Sequence, residues 1–239
     1  MTPPFLGTKV LDGISLDSIE PFVDRETLFA SRWEFRKNIT KENWEQFKKD
    51  NVAAIYERII SNCHADNLIQ PRAVYGYFKC RKIGNGILVE GEHRSHRFDF
   101  PRERVEPHRC LADFFPDGYM AFQLVTIGNK VTKRGSELFA EHAYSDMFYL
   151  KGFASEATEA LAKFCHKHIR NELGVSENIG ERFSPGYPSF PNLLDQKTIA
   201  ALLRPIQIGV TITVTCQLVP EHSTSAIISA DPRAQHFRP

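Results

Sequence analysis

The stretch from Ala73 to Gly91, AVYGYFKCRKIGNGILVEG, decides the fold class. Its two ends, AVYGYFKC and GILVEG, are rich in aromatic and β-branched residues, a composition typical of strands. The tetrapeptide IGNG between them consists largely of turn residues, which predicts a β-hairpin. We therefore expect an antiparallel strand pair here, around which the rest of the sheet is built.

Four further segments have the composition of strands: HRFDF from His96, YMAFQLVTIG from Tyr119, IQIGVTITVTCQLVP from Ile206 and STSAIIS from Ser223. The first thirty or so residues, which alternate short apolar pieces with acids and turn residues, predict an extended arm and a short helix.

Helical spacing of apolar residues returns on both sides of these strands. It predicts a helix capped by Thr40, a helix over 131–144 and a long helix that begins with Ser145 as its N-cap and stops at Gly174. A shorter helix follows, capped by Asp195. Because strands and helices are grouped rather than alternating, the sequence predicts an α+β fold with a mainly antiparallel sheet, in one domain over residues 1–239.

Composition excludes several classes of protein. The 239 residues are 42% hydrophobic and 25% charged, close to the average for globular domains, and the net charge of +1 provides no overall attraction to nucleic acid or membrane. The five cysteines are odd in number and never form C-x-x-C, which argues against a disulfide framework or a structural zinc site. The sequence has no apolar run of membrane-spanning length and no signal peptide, so we expect a cytoplasmic protein.

The segment RFSPGYPSFP, Arg182–Pro191, is an unusually rigid loop with three prolines, one glycine and a single arginine. Proline restricts φ and removes a donor, whereas Gly186 permits a tight bend or the close approach of another group. These residues alone leave two interpretations open: an ordered turn that closes the edge of a core, or a loop that binds a ligand.

Two acidic residues are candidates of the same ambiguous kind. Glu159 lies among small residues of the long helix, which permit either a ligand or a packed sheet to come close to the helix axis. Close helix–sheet packing with Glu159 in solvent is the simpler interpretation. Asp24, in PFVDRETLF, reads on its own as a helix N-cap.

Histidines and arginines form two further clusters. The members of CHKH, Cys165–His168, do not converge on one helical face, so we expect solvated histidines near a helix C-terminus rather than a metal site. The stretch His93–Arg109 holds five arginines and three histidines interleaved with acids. A nucleic-acid surface and a docking face for an acidic protein both remain open, although no nucleic-acid-binding motif is present. Phosphate loops, G-x-G-x-x-G and G-x-S-x-G are also absent.

Seven segments in order, PPFLGTKVL, PFVDRETLFASRWEF, PRAVYGYF, CLADFF, AFQLVTIG, RFSPGYPSFP and QLVPEHSTSAII, resemble the activation (reactivation) domain of cobalamin-dependent methionine synthase. The likeness extends from about Pro4 to Phe237, and R-x-x-x-G-Y-P and LVPEHSTSAII are its most specific parts. The resemblance implies a C-shaped α+β domain with a long, twisted, mainly antiparallel sheet and packed helices. It also implies that the ligand is S-adenosylmethionine.

The resemblance assigns the ligand contacts residue by residue. Arg182 is expected to bind the carboxylate, as a guanidinium fork does, and the ammonium-binding acids of the family fall on Asp24 and Glu159. A further family glutamate lies nearest to Glu177, one residue out of register. Backbone groups around Ser184, Gly186 and Tyr187 are expected to meet the adenine and the methionine tail, with Tyr187 on the reaction side.

The chain departs from the family pattern at three positions. Phe190 stands where the family commonly has cysteine, Leu193 where some members have histidine, and His236 where a ligand-contacting tyrosine is expected. Weaker binding at His236, or a histidine that donates the same hydrogen bond, both remain open.

In the family, a reduced flavodoxin or similar donor supplies one electron to inactive cob(II)alamin, and S-adenosylmethionine then methylates the cobalamin. The resemblance thus implies positioning residues rather than a catalytic dyad, together with a partner that carries the cobalamin. The chain lacks the D-x-H-x-x-G cobalamin pattern and a homocysteine-site zinc cluster. It is therefore expected to be a piece of a longer enzyme or, as the start at Met1 favours, a separate subunit. The alternative is a module that binds S-adenosylmethionine, or serves in assembly, without turnover.

Overall fold

The structure of the protein, a computed structural model, describes residues 2–239. Its centre is a seven-stranded sheet in the order β4-β3-β2-β5-β9-β6, with β1 also paired to β2, and every recorded pairing is antiparallel. A small separate hairpin is formed by β7 and β8. The strands are β1 (Gly7–Leu11), β2 (Arg72–Ile83), β3 (Gly86–Glu90), β4 (Ser95–Asp99), β5 (Gly118–Thr126), β6 (Glu181–Phe183), β7 (Thr211–Ile212), β8 (Leu218–Val219) and β9 (Ser223–Ser229).

The β2–β3 hairpin forms where the sequence predicts it. Its turn is Gly84–Asn85, and Gly84 has φ +60°, a conformation that glycine adopts without a Cβ penalty. Along β2, Tyr75 and Tyr77 face one core, whereas Val74 and Phe78 face the other. This period of two buries both sides of the strand and explains why its sequence is apolar almost throughout.

Helices cover the sheet, and several are continued by tighter or wider turns. The α-helices are α1 (Leu16–Ile19), α2 (Arg25–Thr27), α3 (Lys41–Phe47), α4 (Ala53–Ala65), α5 (Lys130–Ala140), α6 (Tyr144–Leu173) and α7 (Asp195–Leu203). Wider π-type turns extend α2 over Leu28–Arg32 and join α3 to α4 over Lys48–Val52. The 3₁₀ turns are Glu20–Phe22, Phe35–Asn38, Leu111–Phe114 and Pro205–Ile208.

Two hydrophobic clusters lie against the sheet. One contains the buried face of α6 with Trp33, Trp44 and Tyr56, and the other contains Phe98, Phe122, Phe183 and Phe190 with the apolar face of α7. The predicted α+β class with a mainly antiparallel sheet is therefore confirmed.

Local boundaries differ from the prediction in three helices. The helix predicted over 131–144 is α5, which ends at Ala140. The long helix begins at Tyr144 after Ala143, so Ser145 is not its N-cap, although Gly174 ends it with φ +66° as expected. Asp195 is the first residue of α7 rather than its cap.

The segment from Ile206 to Pro220 is not a long strand. Gly209, with φ +77°, ends a 3₁₀ turn, and the chain then forms only the short β7–β8 hairpin, closed by Thr213 N–H donating to the Gln217 carbonyl at 2.9 Å. β-Branched composition alone therefore overestimated the strand here.

Within residues 2–239, no helix has both the length and the apolar character needed to cross a bilayer.

Candidate functional site

The small residues of α6 serve packing. Ala154, Ala157 and Ala160 are fully buried in the core against the sheet. Gly152 makes room for Trp33, since a Cβ at Gly152 would lie 2.7 Å from the indole Cδ1. The simpler of the two interpretations therefore holds for this stretch.

Glu159 lies beside Arg182, which the edge strand β6 brings onto the same side of the sheet. Arg182 Nη2 lies 3.2 Å from Glu159 Oε2, and the side chains are 19% and 36% exposed, respectively. The next residue, Phe183, points to the opposite core, as the alternation of a strand requires. Two predicted site residues of opposite charge are thus brought together from positions 23 residues apart.

His166 of α6, which lies near Arg182, is buried in the protein. His166 is 5% exposed, and burial, with Arg170 and Arg182 nearby, lowers its pKa to about 3. Arg170 donates to the carbonyls of Ile179 and Gly180 at 2.7 and 2.6 Å and so anchors the chain just before β6. The expectation of solvated histidines in CHKH is wrong for His166, because its helical face turns towards the protein rather than solvent.

Asp24 is the N-cap of α2, as its sequence context predicts. Its carboxylate accepts from Thr27 N–H at 2.9 Å and from Thr27 Oγ1 at 2.8 Å, and these hydrogen bonds lower the pKa of Asp24. Its own backbone N–H points to Glu156 Oε1 of α6 at 3.4 Å. The Asp24 side chain is exposed, so an ionised carboxylate is available at the surface of α6.

The loop after β6 turns tightly at Gly186, which has φ +96°. Gly186 N–H donates to the Phe190 carbonyl, and Phe190 N–H donates to the Tyr187 carbonyl, both at 2.8 Å. Phe190 is fully buried against Phe100, at 5.1 Å between ring centroids, whereas Tyr187 is 57% exposed. One end of the rigid segment therefore closes a core, as one of the two interpretations expects, and the other end presents groups at the surface.

A groove of about 750 Å³ lies against this loop. Its lining is rich in hydroxyl groups but exposes somewhat more apolar than polar surface, with the loop on one side and the β8–β9 connection on the other. The lining includes Ser184, Pro185, Tyr187, Leu193, Gln196, Ser223, Thr224 and Ser225. Its size is within the range of small-molecule sites. Arg182, Glu159 and Asp24 are not among the lining residues. Arg182 and Glu159 form an ion pair between β6 and α6, Asp24 lies at the start of α2, and Ser184 and Tyr187 lie at the groove.

Two other predicted residues have different surroundings. Glu177 lies after α6, 65% exposed and paired with Lys167, and none of its recorded contacts is with Asp24, Glu159 or Arg182. His236 is 59% exposed, with its ring centroid 5.0 Å from that of Phe183 and its Nε2 3.7 Å from Glu181 Oε2.

Sequence reasoning missed Glu156, which is 3% exposed in the middle of α6. Burial raises the pKa of Glu156, with Lys163 and Arg32 acting in the opposite direction. Glu156 is three residues before Glu159, so the two acids are neighbours on the helix surface. This spacing is the only signal in the sequence that could have identified Glu156.

Comparison with known proteins agrees on one family. The family model for "Vitamin B12 dependent methionine synthase, activation domain" matches residues 15–238. Methionine synthase of Mycobacterium tuberculosis (strain ATCC 25618 / H37Rv) is 31% identical across 98% of this chain, which spans 23% of that relative. Methionine synthase of Mycobacterium leprae (strain TN) is 30% identical, with the same coverage of 98% and 23%. The resemblance seen in the seven sequence segments is thereby confirmed.

A solved structure has the same fold. The crystal structure of the MetH reactivation domain bound to AdoHcy aligns with a TM-score of 0.79 and 22% identity, over 99% of this chain and 82% of that chain.

Proposed function

Because this chain belongs to the activation-domain family of vitamin B12-dependent methionine synthase, we propose that it binds S-adenosylmethionine and supports reductive methylation of a cobalamin held by a partner. The observation that carries the proposal is the Arg182–Glu159 pair, 3.2 Å apart, at the start of the rigid loop. A similar solved domain is described as bound to AdoHcy, which differs from S-adenosylmethionine by the sulfonium methyl group.

The chemistry of Arg182, Glu159 and Asp24 suits an amino-acid zwitterion. A guanidinium has five N–H donors in a planar fork and matches a carboxylate. Arg182 makes a single side-chain hydrogen bond among the residues the structure describes, to Glu159. In the proposed complex the ligand carboxylate binds Arg182, and its ammonium is held by Glu159 and Asp24. The internal ion pair is exchanged for two pairs with the ligand.

The groove beside the loop suits the nucleoside part of the ligand. Its hydroxyl and amide groups, including those of Ser184 and Gln196, match the polar edges of an adenosine, and Tyr187 provides an aromatic face. Gly186 allows the backbone to turn beneath them. His236 and Glu177, which the resemblance assigns, complete the proposed ligand set.

S-adenosylmethionine supplies an activated methyl group on its sulfonium when bound. The residues of this chain bind and orient it, and none is required to act as a general base. Reactivation further needs a cobalamin-binding domain or subunit and an electron donor of the flavodoxin type, in a cytoplasmic setting. The chain spans 23% of the length of its curated relatives, so the remaining parts of those proteins have no counterpart in it. The partners are therefore proposed from the family alone. We treat residues 1–239 as one functional domain, without a nucleic-acid or membrane ligand.

The alternative, a binding or assembly module without turnover, had its support in the departures at Phe190 and His236. Phe190 is fully buried in the core, packed on Phe100. It therefore gives no reason to expect a defective ligand site.

Calorimetric titration tests the proposal. S-adenosylmethionine should bind with a micromolar Kd, about −8 kcal/mol. 5′-Methylthioadenosine, which keeps the nucleoside but lacks the amino-acid group together with the sulfonium charge, should bind roughly 100-fold more weakly. Equal affinity for the two compounds would contradict the role given to Arg182 and Glu159. An assay with a cobalamin-carrying partner and a one-electron donor then separates reactivation from binding alone.

A further inference from the structure

The helical segment 24–32, which begins with Asp24, is attached to α6 by several contacts, some of them made by the residues that flank it. Trp33 Nε1 donates to the Tyr149 carbonyl at 2.9 Å, and Lys163 Nζ donates to the Phe22 carbonyl at 3.4 Å. Phe22 also packs edge-on against Phe164, at 5.7 Å between ring centroids. These contacts hold the two outer ends of the segment.

Glu156 is at the centre of this attachment. Its Oε1 is 3.4 Å from the backbone N–H nitrogen of Asp24, and its Oε2 is 3.8 Å from Arg32 Nε. Asp24 caps the first turn of the helical segment, and Arg32 is its last residue. One buried carboxylate therefore links both ends of the segment to α6.

The cost of burying Glu156 indicates that the arrangement is not incidental. A carboxylate that is 3% exposed is unfavourable unless paired, and here its pKa is raised by burial. The charged groups facing it are Arg32, Lys163 at 3.7 Å and the Asp24 carboxylate, which acts against it. Both cations are near 4 Å rather than in close contact, so the Asp24 N–H is its nearest recorded partner.

The position of Asp24 relative to Glu159 depends on this link. Both oxygens of the Asp24 carboxylate are oriented by Thr27 within the segment itself. Those bonds fix the rotamer but not the place of the segment on α6. Glu159 is three residues beyond Glu156 on the same helix. Because the Glu156 contact is made to Asp24 itself, whereas the other contacts are made to Phe22 and Trp33, it constrains the spacing between the two acids most directly.

We propose that Glu156 is a positioning residue: it fixes Asp24 at the spacing from Glu159 that the ligand ammonium requires. The inference rests on the proposed function as far as the ligand is concerned. The contact with Asp24 is independent of it.

The test uses the full chain with Glu156→Gln, which keeps the shape of the side chain and removes its charge. Amide hydrogen exchange of Asp24 and Leu28, followed by NMR without ligand, reports the attachment, since Leu28 N–H donates to the Asp24 carbonyl. We expect exchange there to accelerate about tenfold and the Kd for S-adenosylmethionine to weaken about tenfold. Arg32→Gln, at a side chain that is 43% exposed, breaks the second link and should act in the same direction without threatening the core.

Glu172→Gln is the matched control on α6. Glu172 accepts from the hydroxyls of Tyr75 and Tyr77, far along the helix from Asp24, so its loss should lower the Tm but leave both readouts within about twofold. A pH series adds a readout that general destabilisation does not give. The wild-type Kd should weaken as falling pH protonates Glu156, and this step should be missing in Glu156→Gln.

Unchanged exchange at Asp24 in both Glu156→Gln and Glu156→Met, the second of which also removes the acceptor oxygens that glutamine retains, overturns the proposal whatever the ligand does. Faster exchange with an unchanged Kd overturns its functional half. If the wild-type chain binds no S-adenosylmethionine, the proposed function fails, and the exchange measurement alone decides whether Glu156 positions Asp24.

Discussion

Two arginine–glutamate pairs in this molecule differ in how completely their hydrogen bonds are made. Arg109 donates to Glu103 three times, from its backbone N–H, Nε and Nη2, at 3.0, 2.7 and 2.8 Å. The Glu103 side chain is 5% exposed, and Arg109 also lies over the Phe237 ring, 5.3 Å from its centroid. The Arg182–Glu159 pair, by contrast, makes one contact of 3.2 Å.

The difference agrees with a structural role for the first pair and with the ligand-binding role that we propose for the second. A bidentate pair with a third bond from the backbone has used the geometry of the guanidinium fork and holds the loop 103–109 closed. A single longer contact leaves donors of Arg182 and lone pairs of Glu159 for another partner. The stretch His93–Arg109, whose cations suggested a docking face, is partly neutralised. Arg97 pairs with Asp99 and Arg109 with Glu103 inside the stretch, and Arg102 pairs with Asp113 just after it.

The largest effect on ligand binding is expected when each of the two arginines is replaced by alanine in turn. Arg182→Ala should weaken S-adenosylmethionine binding by roughly 100-fold or more, because a ligand carboxylate would lose its charged partner. Arg109→Ala should leave the Kd within about twofold and lower the Tm instead. Calorimetry and thermal unfolding of both variants measure this, and similar Kd losses in the two would erase the distinction.

The stability of the fold near Arg182 should depend on pH through the buried His166. His166 titrates near 6.5 when unfolded and near pKa 3 in the fold, so the unfolded state takes up its proton first as pH falls. The contribution of His166 to the free energy of unfolding is therefore fully present above pH 6.5. It is lost as the pH falls towards 3, by about 1.4 kcal/mol per pH unit. Between pH 7.5 and 5, urea unfolding of wild type should lose about 2 kcal/mol more than His166→Gln. Parallel losses in the two proteins would argue against a buried neutral histidine.

A smaller effect is expected when the carboxylates are neutralised. Glu159→Gln should weaken S-adenosylmethionine binding about tenfold, while unfolding free energy changes by less than about 1 kcal/mol, as for a partly exposed pair. Glu103→Gln should do the reverse, destabilising the fold without changing the Kd. If Glu159→Gln bound the ligand as wild type does, the ammonium would have to be assigned to Asp24 alone.

The smallest effect is expected at His236, where the family tyrosine is replaced. The side chain is largely exposed and packs on Phe183, so His236→Tyr should strengthen binding by about threefold at most. Titration of this variant beside wild type measures it. A gain above tenfold would show that His236 limits affinity, contrary to the peripheral place given to it here.

Much of the sheet was predictable because strand composition and turn residues act locally. STSAIIS forms β9 over the predicted residues, and the Gly84–Asn85 turn joins β2 to β3 as expected. The segment after Ile206 was not predictable in the same way. Its β-branched residues favour a strand, but Ile208 and Val210 are buried by a 3₁₀ turn that packs on β2, and that choice is made by tertiary contacts.

The residues of the candidate site could be proposed from the sequence, whereas their grouping in space could not. The order of the motifs is sufficient to name Asp24, Glu159 and Arg182, and the resemblance gave them roles. Phe190 looked like a change in the ligand site, yet its side chain is in the core. The alanines around Glu159 left a ligand or a packed sheet open, and the structure shows the simpler of the two, packing against the sheet.

The amino-acid sequence by itself determined the family, the antiparallel sheet and the loop that begins at Arg182, since these follow from segment order, period-two alternation and turn chemistry. Only the tertiary structure decided which charged side chains are buried and have most of their hydrogen bonds made within the protein. Glu156 and Glu159 are three residues apart, yet one is 3% exposed and the other 36%. Arg109 and Arg182 are the same residue type with different numbers of partners. Burial and hydrogen bonding depend on distances between segments far apart in the chain, and no local pattern encodes those distances.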